Sequence, residues 1–308
     1  MDTVTGCLIS RSHGVWLFGG MMFNISKALQ AVIGPLLRQE AKFFRQYVGD
    51  STVLMTTNDE LFIYLDGNDA SLTPSMLRER TWEPQISYWL ESVLRSGDCF
   101  VDIGGNNGIH ALRAGRKVGS TGQIIVFEPQ DRLAGLIERS AAANLMIYNF
   151  HVRRTALGAE EGVIRLGKFA HLTGSATVTP NELIAEYVDV PLAPLPHALD
   201  QLATQIGRSC EPEVIKIDVE GFEYAVWDGM KEWAREKQRL AIVLEYSPVS
   251  YTHCGRDPVA LLQEFSDYGF QVEQLLWSGK TKKLISADYA RLGSAQRQFD
   301  IVLSKGNF

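Results

Sequence analysis

Acidic side chains close apolar runs at several points along this chain, and chemistry can start from them. Asp102 lies in "CFVDIGG", Glu128 closes "QIIVFEP", Asp218 and Glu220 follow "VIKIDVEG", and Glu245 ends "LAIVLEYSP". A carboxylate at the end of a buried strand is costly unless it is paired or faces a site. There it can accept a hydroxyl hydrogen bond, face a cation or take a proton. Lys216 falls on the same strand face as Asp218 by the period of two. It reads either as a structural counter-ion or as a member of a site. Between the first two acids lies the turn Gly104-Gly105-Asn106-Asn107-Gly108. A dinucleotide fingerprint needs glycine where Asn106 stands, so the turn lacks the pyrophosphate pattern. A ligand with an adenosine and no phosphate suits it better; the plain alternative is a tight turn with nothing bound. Glu128, about 20 residues further on, has the spacing of an acid that accepts both ribose hydroxyls.

Alternating elements must present these residues. From residue 98 the chain reads strand, glycine turn, helix ("IHALRAGRKV"), strand, helix ("DRLAGLIERSAAAN"), and strand ("NFHVRRTAL"). After an insertion that reads as irregular come "EVIKIDV", the helix "FEYAVWDGMKEWAREK", "LAIVLEY", the helix "PVALLQEFSDYG" and two final strands. Near-continuous apolar strands alternating with helices predict an α/β fold, a doubly wound and mostly parallel sheet covered on both faces. Its ligand belongs outside the carboxyl ends of the strands, at the switch point. Before this lies an expected α+β cap: a helix over 26–47 that Pro35 should kink, a hairpin around Asn58-Asp59-Glu60, and a helix over 83–94. The expected organisation is a cap or extension over 1–95 and a catalytic domain over 96–308. The aromatics Phe43, Phe44, Tyr47, Trp82 and Trp89 read as core or oligomer interface before they read as a substrate platform.

Composition narrows the class. The chain has 308 residues and a formal charge of −6, which argues against a nucleic-acid partner. Four dispersed cysteines form no CxxC pair, so reduced thiols in a cytoplasm fit better than disulfides or zinc. No apolar run reaches the length of a membrane span. "GVWLFGGMMF" (14–23) is a weak candidate for a targeting segment, and Met21 or Met22 could mark an alternative start.

"FVDIGGNNGIHALRAG", "GQIIVFEPQ", "TALGAEEG", "VIKIDVEGFEYAVWDGM" and "LAIVLEYSP" resemble, in order and spacing, the FkbM-type S-adenosylmethionine-dependent methyltransferases over about residues 80–305. Glu83, in "TWEP", resembles the family's acidic position ahead of the first strand. Gly105 departs from the family's more common alanine, a difference that should not remove binding. The resemblance implies a class I seven-stranded sheet ending in an antiparallel strand, and methyl transfer to a hydroxyl of a sugar or secondary metabolite, as in natural-product biosynthesis. It implies that Glu83, Asp102, Gly104, Gly105, Asn106 and Gly108 line the methionine end and the turn. Glu128, with Pro129 beside it, would hold the ribose; Ala156 and Leu157 would lie along the adenine; and Asp218 would be near the methionine moiety or the acceptor.

Methyl transfer from a sulfonium is an in-line displacement, in which protein supplies alignment and desolvation. An alcohol gains from a base, and the candidates are Asp218, with Lys216 beside it, or a loop histidine, His171 or His253. His110, at the start of the helix after the turn, reads first as ordinary structure. Glu245 is the candidate acceptor-facing residue. Mg2+ on Asp218, Glu220 and Glu245 is admissible but not required, and no metal site is expected. The acceptor is expected to be a small molecule or carbohydrate, with homo-oligomerisation through the N-terminal region. Two other readings stay open at this level: an NAD-dependent oxidoreductase, which Asn106 argues against, and a catalytically silent cofactor-binding module.

Overall fold

The computed structural model describes residues 16–18, 21–23, 44–177 and 182–308. The chain divides into two compact units, Met1–Phe44 and Arg45–Phe308. In the first, Trp16–Phe18 and Met21–Phe23 pair antiparallel within the weak targeting candidate. Most of the helix expected over 26–47 lies outside the described residues. Its described end is not helical: Arg45–Tyr47 is a strand that pairs with Thr52–Thr56.

The second unit is built on an eight-stranded sheet. Its order is Thr281–Lys283, Gln271–Leu275, Phe299–Lys305, Leu240–Tyr246, Val214–Ile217, Cys99–Ile103, Gln123–Phe127 and Phe150–Arg153. The last five run parallel and the first three join antiparallel. The sheet therefore holds one strand more than the expected seven, because Thr281–Lys283 folds back on Gln271–Leu275 as a short edge hairpin. Alternate residues of each central strand feed two cores. Val101, Ile103, Ile215, Ile217 and Ile242 face one side; Phe100, Ile124, Val126, Val214 and Val243 face the other. Strands apolar on both faces are the mark of a sheet buried by helices on each side.

The chain lays down Cys99–Ile103, moves outward to the neighbouring strands, then returns to place Val214–Ile217 on the opposite side of the first strand. That reversal splays the loops apart and opens a crevice at the carboxyl ends. The insertion after the third strand is not irregular. Gly162–Phe169 and Ile184–Ala193 form a long antiparallel hairpin within a four-stranded sheet. A helix, Leu195–Ile206, then leads back to the main sheet.

Residues 45–95 share the core of the larger unit. The hairpin Thr52–Thr56/Phe62–Asp66 presents its outer edge to the helix Asp131–Ala143 and the residue that ends it. Tyr64 N–H donates to Ser140 Oγ (2.9 Å), and Asn144 takes Phe62 N–H and returns a bond to its carbonyl. An edge that could template pairing is thus closed. The hairpin turn is clasped by Arg113 and Arg116 of the helix Ile109–Val118. Both reach Asp59, and Arg113 also reaches Thr81 Oγ1 (3.0 Å) and Ser87 Oγ (2.6 Å). Burial alone would push the Asp59 carboxyl up, but the arginines outweigh it and hold it down at about 2. The clasp places the Thr81–Ser87 segment, including Glu83, beside the glycine turn. Trp89 lies within the core, whereas Tyr47 is exposed.

Candidate active site

The turn after Cys99–Ile103 is shaped by its close neighbours. Gly104 has φ +79°, and a Cβ there would overlap the Asp218 carbonyl oxygen across the switch point. Only glycine lets the two strand ends approach this closely. Asp218 N–H donates to the Ile103 carbonyl (3.0 Å), which continues the parallel ladder past the strand. Gly105 and Gly108 serve the fold: a Cβ on Gly105 would overlap Val126 Cγ1, and one on Gly108 would press on Ile137. The alanine common in related turns therefore has no room at Gly105 against Val126.

A cleft opens from this point. Its floor is Ile103, Phe127, Ala156, Leu157, Leu166 and Phe222; its polar rim includes Asn106, Glu128, Gln130, Asp218 and Glu220. Glu128 is buried, and its two carboxylate oxygens accept the N–H groups of Asn106 and Gln130, each at 2.9 Å. Burial raises its carboxyl to about 7 against the pull of those two donors. A segment of the insertion crosses the cleft: Asn106 Nδ2 donates to the Gly174 carbonyl, Gln130 Nε2 to the Thr173 carbonyl, and Ser175 Oγ to Glu220 Oε1.

The other end of the cleft is dense with charge. Lys216, buried, stands 3.0 Å from Asp218 Oδ2 and 3.6 Å from Asp102 Oδ1. Burial works against its charge, but Asp218, Asp102 and Glu83 outweigh it and hold the ammonium above its ordinary range. Such a lysine stays protonated and is a counter-ion rather than a base. Asp102 is buried, which pushes its carboxyl up. Glu83 Oε2 meets His110 Nε2 at 3.1 Å. Burial and then the nearby Asp218 raise Glu83 to about 7. Burial, helped by Lys216, drives His110 down to about 3, so its ring is neutral.

Asp218, Glu128, Pro129, Ala156, Leu157, Gly104 and Asn106 thus meet in one cleft, and Asp102, Lys216 and Glu83 are linked by charge to Asp218 at one end of it. The histidines do not join them. His171 lines an adjoining groove that shares Pro129, Gln130 and Leu166 with the cleft, its carbonyl taken by Ala70 N–H (2.8 Å), and His253 is exposed at the end of the helix Pro248–His253. Glu245 lies on the fifth parallel strand, where Gln298 Nε2 donates to it (3.0 Å). Burial, then Asp218, Glu223 and Glu220, raise its carboxyl to about 10. Among the described residues, no group of three or more His, Cys, Asp or Glu side chains is arranged to hold a metal. Glu220 does not cap the helix Glu223–Glu236, whose N-cap is Phe222 with no side-chain capping bond; Glu223 reaches back to take the N–H groups of Val219 and Gly221 in the turn before it. Glu220 lines the cleft instead, with its carboxyl raised to about 7, first by burial and then by Asp218. The glycine after Glu220 was a signal for a sharp turn that could aim this side chain.

The model of the methyltransferase FkbM domain matches residues 102–272.

The chain belongs to the FkbM methyltransferase family.

It is an S-adenosylmethionine-dependent methyltransferase, and the dinucleotide alternative is not favoured. The methyltransferase sdnD of Sordaria araneosa is similar: 25% identical over 219 residues, covering 63% of this chain and 82% of that one. Among solved structures, a methyltransferase FkbM from Methylobacillus flagellatus is 14% identical at a TM-score of 0.40, covering 69% of this chain and 45% of its own. An S-adenosylmethionine-dependent O-methyltransferase from Thermotoga maritima is 11% identical at 0.39, with 87% of each chain covered. Likenesses at these scores carry no argument; the family match and the sheet itself do. No helix among the described residues is long and apolar enough to cross a membrane.

Proposed function

We propose that this enzyme methylates a hydroxyl oxygen of a small molecule, a sugar or a secondary metabolite. The observation that carries the reading is the cleft at the switch point, with an acid at each end, the buried Glu128 and the half-buried, Lys216-paired Asp218. The residues fit an adenosine sulfonium. Glu128, its oxygens oriented by two backbone N–H groups, has lone pairs left for ribose hydroxyls. Ala156, Leu157, Leu166 and Phe222 suit the apolar faces of adenine. Gly104 keeps the turn open for close approach, and the acidic end suits a cationic amino acid moiety.

When bound, S-adenosylmethionine supplies an electrophilic methyl on a sulfonium. The protein's part is to align an acceptor oxygen, exclude water and receive the hydroxyl proton. In this reading Asp218 aligns the acceptor, and Glu220, which also lines the cleft and is raised to about 7, takes the proton. The acidic balance of the chain disfavours a nucleic-acid acceptor. Cys99, Cys210 and Cys254 are free thiols, which supports a reducing compartment, the cytoplasm.

Incubation with methyl-labelled S-adenosylmethionine and an extract of the source organism, followed by identification of the labelled small molecule, tests the reading. Label on an oxygen of a small molecule supports it. Label on nitrogen, carbon, protein or RNA overturns it. Asp218→Asn should lose most turnover with the fold intact.

A further inference from the structure

Glu83 occupies an unusual backbone position for the use made of its side chain. It is the N-cap of the helix Pro84–Val93, with φ +40°, and its carboxylate makes no capping bond. A non-glycine residue in the left-handed region is strained by roughly 1–3 kcal/mol and persists where its surroundings over-determine it. The Arg113 guanidinium does so here, holding Thr81 Oγ1 on one side and Ser87 Oγ on the other. The side chain is thus free to leave the cap, and His110 takes it.

His110 lies in the first turn of the helix that follows the glycine turn, and it is buried. Its Nε2 is 3.1 Å from Glu83 Oε2, and its Nδ1 has no hydrogen-bond partner among the described residues. A neutral imidazole carries one N–H. With that proton on Nε2 the ring donates to the Glu83 carboxylate; with the proton on Glu83 the carboxyl donates to Nε2. Either way one hydrogen bond fixes the carboxyl, at no cost of a buried imidazolium. The charged groups around the pair come from every neighbouring element: Asp102, Lys216, Asp218 and Glu220 at the strand ends, Glu245 and Asp300 on the adjoining strands, and Arg113 on the helix of His110.

We propose that His110 is a positioning residue, which holds the Glu83 carboxylate through Nε2 at the acidic end of the cleft, where that carboxylate receives the ammonium of the cofactor's amino acid moiety. The inference rests on the cleft being the cofactor site. It predicts a consequence that a merely structural histidine would not have. The ammonium favours ionised Glu83, so binding tightens as pH rises through the raised pKa of that carboxyl.

The test uses calorimetric binding of S-adenosylhomocysteine, which keeps the ammonium, to the full chain at pH 6 and pH 8. The wild type should bind more tightly at pH 8. His110→Ala should weaken binding at pH 8 by about tenfold, the size of one charge-assisted hydrogen bond, and flatten the pH dependence. His110→Gln, which can return an N–H to the place of Nε2, should restore most of both. Glu83→Gln should weaken binding similarly, and the double variant with His110→Ala should be little worse than either. Wild-type affinity and pH response in His110→Ala overturn the proposal, as does full additivity in the double variant. If His110→Ala does not fold, His110→Leu against His110→Gln gives the same contrast, and equal affinity in that pair overturns it. Failure of the wild type to bind S-adenosylhomocysteine would instead overturn the assignment of the cleft.

Discussion

The two ends of the cleft solve different electrostatic problems. At the Glu128 end a single buried carboxylate is tied by two backbone N–H groups beside an apolar floor. At the Asp218 end Glu83, Asp102, Asp218, Glu220, Glu245 and Asp300 influence one another, with Lys216 the principal opposing cation. Backbone donors cannot titrate or move far, so the Glu128 oxygens are held in place and, in the proposed reading, face a neutral moiety. Burial, and then the neighbouring carboxylates, raise Glu83 and Glu220 to about 7, so the second end holds carboxyls that can exchange a proton near neutrality.

The sharpest way to break both ends at once is Gly104→Ala. The new methyl must overlap the Asp218 carbonyl at a backbone angle that disfavours any side chain, so S-adenosylhomocysteine binding should vanish and the melting temperature fall steeply, by the equivalent of more than about 3 kcal/mol. Glu128→Ala should break only the rigid end. It strands two backbone donors and removes the proposed ribose acceptor, and calorimetry should show about a hundredfold weaker binding.

The poised end should show itself in stability. Glu83, Glu220 and Glu245 have raised folded values, and so does Glu128. Folding favours their protonated forms, so their stabilising effect is full below pH 4.5 and is lost as pH rises through about 7 and beyond. The ligand-free melting temperature should therefore fall between pH 6 and pH 8, and Glu83→Gln should make the fall shallower. A melting temperature that rises over that range would refute the assignment of raised values. The smallest effect belongs to Gly105→Ala. Overpacking against Val126 should cost about 1–3 kcal/mol in a denaturant titration, and Val126→Ala should recover most of it.

How much of this was legible in the residues depended on where each partner lies in the chain. The central strands and the helices after them were readable because continuous apolar runs and 3.6-residue periods are local signals. "VIKI" and "CFVDI" are such runs. The hairpin Gly162–Phe169/Ile184–Ala193 was not. Its strands are half exposed, so their alternation is weak, and the Gly-, Ser- and Thr-rich stretch between them reads as loop. The edge strand Thr281–Lys283 has only three residues. His171 and His253 were plausible by residue type alone, and neither lines the cleft that holds Asp218. Glu220 and His110 were underrated because their partners, Ser175 and Glu83, lie 45 and 27 residues away.

By itself the sequence determined the sheet, its glycine turn and the acids at the strand ends, because hydrophobic period and turn chemistry act between near neighbours. Tertiary structure alone decided which acid is tied by backbone donors and which stand among other charges, why a methyl on Gly105 would overlap Val126, and that Glu83 is turned from its helix toward His110. Those outcomes depend on burial and on charges brought together from distant segments, and neither quantity exists until the chain has folded.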